Sequence, residues 1–269
     1  MRWLKHIPLL IWTFIVLIPL FILIFTSLKT GKDFLATSAI MPPAHVTFAN
    51  YKRVLIEGHI LASLKNSAIL VLGGSLGSAL FGAMTAYILH RFDFFLKNFI
   101  LSVYIASVIV PAALLQVMLY QLMHWLGVTG TFGAPILIYV ATDIITVWMY
   151  LQFCENIPEA LDESAMMDGA SYLRIFFQII LPLLMPATAT VLIIKSIFIY
   201  NDMFTQYLYM SSTKLQTATM ALMTFSGQFA TTFNVMAAGC VAVMIPTVIL
   251  FFILQKYIFA GITSGSVKG

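Results

Sequence analysis

Charge is what this sequence has least of. Of its 269 residues only 9% are charged, against roughly 25% in ordinary soluble domains. So few polar side chains cannot cover a water-facing surface, which excludes a soluble globular enzyme. The net charge of +4 is small and its Lys and Arg are scattered, which excludes a basic site for nucleic acid. There are two cysteines, Cys154 and Cys240, in or beside apolar segments and without a CxxC pairing, so neither a disulfide framework nor a zinc site is expected. Five histidines (His6, His45, His59, His90, His124) are dispersed and form no metal constellation. Strand-like alternation is missing, which leaves a β-barrel unsupported. No Gly-x-x-x-x-Gly-Lys-Ser/Thr loop occurs, so the chain cannot cradle ATP phosphates in that way.

What the sequence has is apolar length: 61% hydrophobic residues, with 22 Phe. A bilayer core needs about 20 apolar residues as a helix. Six stretches qualify: 7–28, 67–89, 99–123, 135–153, 183–200 and 235–259. Pro111 and Gln116 interrupt the third, Asp143 lies in the fourth, Lys195 in the fifth, and Pro246 and Lys256 in the sixth. The expectation is an all-α polytopic membrane protein, one permease-like domain over 1–269, with six transmembrane helices. The first apolar run is too long for a signal peptide and no cleavage pattern follows it. Arg2, Lys5, Arg91, Lys97, Arg174, Lys256 and Lys268 share one side, against Lys29, Lys32, Lys52, Arg53, Lys65 and Lys214 on the other. That bias places both termini in the cytoplasm. Segments 29–66 and 203–234 then become external loops, turn-rich and polar, suited to a partner. Gly74, Ser78 and Gly82, with Gly73 and Gly77, form a small-residue stripe for close helix packing inside the bundle.

The cytoplasmic loop 154–182 carries the most information. Pro158 suits a first helical turn, and Glu159, Asp162 and Glu163 favour a helix N-terminus. Gly169 suits a helix stop. A short helix with exposed Leu161, Ala165 and Met167 fits a groove on another protein. Four acids and no base within 155–163 argue against a helix resting on anionic lipid.

This loop resembles the "EAA" signature of binding-protein-dependent ABC importer permeases. It stands as Glu163-Ser164-Ala165, then Gly169, then Ile179-Ile180-Leu181-Pro182, departing only at Ser164, a small residue in place of Ala. Phe48-Ala-Asn-Tyr51, Leu64-Lys-Asn-Ser67, Ala86-Tyr87, Arg91-Phe92, Leu126-Gly127, Tyr200-Asn201-Asp202 and the tail from Gln255 to Gly269 are similar to the carbohydrate branch, in particular its six-span maltose-type permease subunit. The resemblance implies the type I permease fold with a cytoplasmic coupling helix and a single transport domain. It implies a sister permease, two ATPase subunits carrying ATP and Mg, and an extracytoplasmic sugar-binding protein, with no enzyme activity or cofactor in this chain. It also implies that Glu159, Leu161, Glu163, Ser164, Ala165, Met167, Asp168, Gly169, Ile179, Leu181 and Pro182 couple to the ATPase. The segment from Thr217 to Gly227 would meet the binding protein.

Polar groups inside apolar spans are the candidate solute contacts. Lys195 must face a partner group or a wet cavity, since a charge at the centre of a span costs about 2.5–3.5 kcal/mol on insertion scales. Tyr200, Asn201 and Asp202 follow toward the outside and suit a sugar path, although Asn201 and Asp202 equally suit loop capping. Gln116 is a candidate cavity-lining residue. Asp143 is either paired in the bundle or near the external end. Trp148 suits packing or an interface belt, and the methionines Met203, Met210, Met220, Met223, Met236 and Met244 suit flexible packing. Two alternatives compete: an ABC permease for an amino acid, peptide or anion, and a self-sufficient transporter or intramembrane enzyme. The carbohydrate-like motifs oppose the first. The lack of a metal motif or a chain of intramembrane carboxylates opposes the second.

Overall fold

The computed structural model describes residues 6–141, 143–228 and 232–266, without the side chains of 112, 113, 228 and 254–266. Arg2, Lys5 and Lys268, three of the charges in the topology argument, lie outside the described residues, as does the side chain of Lys256. The described chain is helical, in two compact units: residues 1–66 with 216–250, and residues 67–215 with 251–269.

The first unit holds α1 (Ile7–Leu28), α2 (Gly31–Ala36), α3 (Ala49–Ile56), the opening turns of α4 (Ile60–Arg91), α14 (Ala218–Gln228) and most of α15 (Phe233–Ser266). The apolar 18-residue window of α1 is 0% buried, so this helix presents its whole girth to surroundings outside the chain. Its C-terminal end, by contrast, is knotted. Lys29 is fully buried; its Nζ donates to Thr37 Oγ1 and to the Ser38 carbonyl, both at 2.8 Å. The Asn50 amide donates to the carbonyls of Ser27 and Lys29, and Asn234 Nδ2 donates to Asn50 Oδ1 at 2.8 Å. Ser27 and Tyr51 share a hydroxyl hydrogen bond at 2.7 Å. The segment 29–66, expected as an external loop, contains α2, α3 and the first turns of α4 and is tied to its own chain. Phe225 of α14 fits between two glycines: a Cβ on Gly58 or Gly239 would lie 2.2 or 2.7 Å from its ring. The 203–234 segment likewise contains two helices, α13 (Met203–Tyr209) in the second unit and α14 in the first.

The second unit is built on the rest of α4, whose glycine stripe faces the chain's own bundle. A Cβ on Gly77 would lie 2.3 Å from Val140 Cγ2, one on Gly82 2.6 Å from Thr146 Cγ2, and one on Gly74 2.8 Å from Tyr139 Cβ. Only residues without side chains allow that approach. The partners belong to α7 (Gly133–Val140) and α8 (Ile144–Cys154), which share the fourth predicted span but bend by 43° where Asp143 caps α8. The third predicted span is also broken. α5 (Lys97–Ser107) stops before Pro111, which lacks an amide donor, and α6 (Ala112–Trp125) restarts after it. The fifth begins at Met185 rather than 183: α12 (Met185–Asn201) meets the preceding helical segment, Tyr172–Leu183, at 77°. α1, α4 and Phe233–Ile253 are long and apolar enough to cross a membrane, and the two bent pairs raise that number to five among the described residues. The core of the unit gathers Tyr150, Val147, Ile175, Phe176, Ile180 and Leu184 around Ala83 and Ala86 of α4. Both cysteines are free; Cys154 is buried in this core.

Candidate functional site: the docking helix and the polar rungs of the bundle

The helix in the 154–182 loop, α9, runs Ala160–Met167, with the acids Asp162 and Glu163 in its first turn. Pro158 sits just ahead of it: its carbonyl accepts from Leu161 N at 3.3 Å, opening the first turn. The stop is a left-handed glycine motif. Gly169 has φ +79°, its amide donates to the Met166 carbonyl at 2.9 Å, and the Ala170 amide donates to the Ala165 carbonyl at 3.0 Å. The Ser171 side chain then caps α10 (Tyr172–Ile175), so a second short helix starts just after the glycine stop.

The exposed face of α9 presents Leu161, Glu163, Ser164, Met166 and Met167, the last 88% exposed. Asp168 and Pro182 are exposed as well. Ala165, expected on that outer face, is instead buried in the core. Ile179 and Leu181 also pack against the core, along a π-helical turn at Phe176–Ile180. Their part in the site is to seat the helix. Ser164 Oγ donates back to the Ala160 carbonyl at 2.7 Å, so the one departure from the EAA pattern is satisfied within its own turn.

The inner face is held by Arg91, which the sequence offers as a topology charge and as part of the Arg91-Phe92 resemblance to the carbohydrate branch. Its side chain is 7% exposed and its Nε lies 2.7 Å from Asp162 Oδ2. Its Nη2 donates to the Ile157 carbonyl at 2.8 Å, and Nη1 approaches exposed Glu159 at 3.6 Å. Tyr87, one turn earlier on α4, donates to Asp162 Oδ1 at 3.0 Å. The end of α4 thus grips α9 through one buried carboxylate. The i, i+4 spacing of Tyr87 and Arg91, which sets both on one helix face, was the signal in the sequence.

Of the polar residues expected along a solute path, Lys195, Asp202 and Gln116 bond to other helices. Thr188 and Lys195 on α12 and Asp202 at its C-cap, seven residues apart, meet Tyr150, Asp143 and Tyr139. Tyr150 donates to Thr188 Oγ1 at 3.1 Å, Lys195 forms an ion pair with Asp143, and Tyr139 donates to Asp202 Oδ2 at 2.9 Å. Asp202 also caps α13 through Thr205 N. Asn201 donates to the Ile197 carbonyl at 2.8 Å on its own helix. Gln116 accepts from Tyr209 at 2.9 Å. Tyr200 is half-buried. Lys195 and Asp202 share a face; Gln116 belongs to a separate cluster around Tyr209 and Met123.

Residues 78–264 match the family described as binding-protein-dependent transport system inner membrane component. The chain belongs to that family, an integral-membrane permease component of ABC transporters rather than an enzyme. It is 36% identical over 254 residues to the melibiose/raffinose/stachyose import permease protein MelC of Bacillus subtilis (strain 168), covering 94% of this chain and 91% of that one. It is 29% identical over 272 residues to the arabinooligosaccharides transport system permease protein AraQ of Halalkalibacterium halodurans, covering 100% and 97%. The fold is that of a chain in the crystal structure of a bacterial ABC transporter involved in import of the acidic polysaccharide alginate, with TM-score 0.84, 22% identity, and 94% and 95% of the two chains covered.

Proposed function

We propose that this chain is one permease subunit of an ATP-driven importer for a carbohydrate, in particular an oligosaccharide, and forms half of the passage with a different sister permease. Two cytoplasmic ATPase subunits carry the ATP and Mg. An extracytoplasmic binding protein delivers the sugar, and both termini are cytoplasmic. The names of the relatives support the substrate class, since melibiose, raffinose, stachyose and arabinooligosaccharides are all sugars.

The observation that carries the mechanical part of this reading is the two-faced α9. Its inner face is bonded to α4 through Arg91, Tyr87 and Asp162, while Leu161, Met166 and Met167 face outward. An ATPase groove that grips those apolar side chains moves α4 with α9, because breaking the buried pair costs about 3–5 kcal/mol. Closure of the ATPase pair on ATP opens the passage outward, and hydrolysis resets it. Gly169 fixes the angle between α9 and α10, and its positive φ is closed to proline, whose ring holds φ near −65°. Gly169→Pro in an assembled transporter is expected to abolish uptake of labelled raffinose or melibiose. Uptake at the normal rate with normal assembly refutes the coupling role. A cysteine at Met167 is expected to cross-link to the ATPase subunit.

A further inference from the structure

The break in the fourth span lies beside an open cavity of about 150 Å³. Asp143, Thr146, Lys195 and Phe198 line it, with Ile145, Met149, Val191 and Ile194. Its polar and apolar parts are unequally exposed. The Lys195 side chain is 11% exposed and the Asp143 side chain 47%. Phe198 is 61% exposed, one turn beyond Ile194 on the same face of α12. Lys195 Nζ is engaged with Asp143 Oδ2, and Asp143 Oδ1 accepts from Thr146 N at 2.8 Å. Asp143 lies at the bend of the fourth span and Lys195 within α12, both in apolar segments.

A carboxylate half exposed within an apolar span cannot face hydrocarbon; it requires water, a solute or another subunit. Asp143 therefore marks which face of the α8–α12 pair looks away from lipid, and Phe198 shares that face. The chemistry of the cavity narrows its occupant. The ammonium cancels the charge of the carboxylate, so the site favours neither anion nor cation. Asp143 keeps lone pairs that can accept from hydroxyls. An exposed phenyl ring beside them offers an apolar surface to a ring's C–H face. Fixed polar groups beside an aromatic wall are the ordinary make-up of a small-molecule subsite, and a discontinuous helix near the midplane is where transporters hold solute.

We propose that this cavity is a contact site for one ring of a neutral sugar in transit. Asp143 is the hydroxyl acceptor and Phe198 the platform; Lys195 is a positioning residue that holds Asp143. The proposal rests on the carbohydrate reading above and extends it to residues that the relatives' names do not touch.

The test is uptake of labelled melibiose, raffinose and stachyose by cells making the complete transporter, with KM and maximal rate measured separately and the assembled complex quantified. Asp143→Asn keeps a capable helix cap and is expected to raise KM about tenfold, or 1.4 kcal/mol, and to change the ranking of the three sugars. Phe198→Ala is expected to raise KM by a similar factor, and Phe198→Tyr to restore it. Lys195→Met should follow Asp143→Asn, and Lys195→Arg should recover part of the loss. KM values unchanged in Asp143→Asn and Phe198→Ala, with maximal rate falling only as assembly falls, reduce the pair to a structural rung and overturn the proposal. If Asp143→Asn does not assemble, Phe198→Ala decides alone, since so exposed a side chain contributes little to the fold. Wild-type cells that import none of the three sugars and no arabinooligosaccharide refute the oligosaccharide reading, and the subsite with it.

Discussion

Lys29 and Arg91 look alike in the sequence: each is a basic residue at the end of an apolar run, and each enters the topology count as one charge. In the first unit Lys29 is buried against neutral acceptors, the Thr37 hydroxyl and the Ser38 carbonyl, inside a knot closed by Asn50 and Asn234. In the second unit Arg91 is buried against a carboxylate on a separate helix, Asp162, with a tyrosine completing the acceptor. The first cation fastens a chain end to itself. The second joins a membrane helix to the element that a motor would grip. A buried cation satisfied by local dipoles makes a fixed point, whereas one paired with a distant carboxylate makes a joint whose load passes from helix to helix.

Four substitutions would break or sharpen that contrast. The largest effect belongs to Arg91→Ala, which strands Asp162 in a site where both side chains are under 10% exposed. A loss of about 3–5 kcal/mol is expected, read as a lower melting temperature of the purified complex together with loss of uptake. Pairing it with Asp162→Asn should return stability without returning transport. Lys29→Met comes next, at about 1–3 kcal/mol for acceptors left without their donor. Here only stability should fall, with uptake per assembled complex unchanged; a coupling defect would erase the distinction between the two cations. Gly169→Ala meets no atom within 4 Å, so its cost is the left-handed backbone alone. That is about 1–2 kcal/mol, felt as a several-fold drop in uptake with little change in melting. The smallest effect is expected at Arg53→Ala, which removes a half-exposed i, i+4 pair with Glu57. Its expected loss of about 0.3–0.5 kcal/mol should leave uptake intact, making it the control for both regions.

Much of the docking loop was legible because its signals are local. The acids of the first turn and the glycine stop act over a few residues, and the structure places each as the spacing implies. The inward turn of Ala165 was not legible: small residues serve equally for an outer docking face and for a tight inner seat. The breaks at Pro111 and Asp143 carried marks in the sequence, but hydropathy averages over such marks and drew continuous spans. The segments 29–66 and 203–234 read in the sequence as external loops, turn-rich and polar. Part of that polarity satisfies buried groups, as in the Asn50–Asn234 contact. The solute path was assigned from polarity within spans, which identifies residues that need a partner without saying which partner.

The sequence by itself determined that the chain is a bundle of apolar helices, where its docking helix starts and stops, and which family it belongs to. These follow from composition and from backbone preferences that act between near neighbours. Only the tertiary structure decided that Lys195 meets Asp143, that Arg91 meets Asp162, and that Thr188, Lys195 and Asp202 form one ladder. Those pairings join residues 38 to 71 positions apart. A lone polar side chain in an apolar helix states only that it must be satisfied; the packing of the other helices chooses the atom that satisfies it.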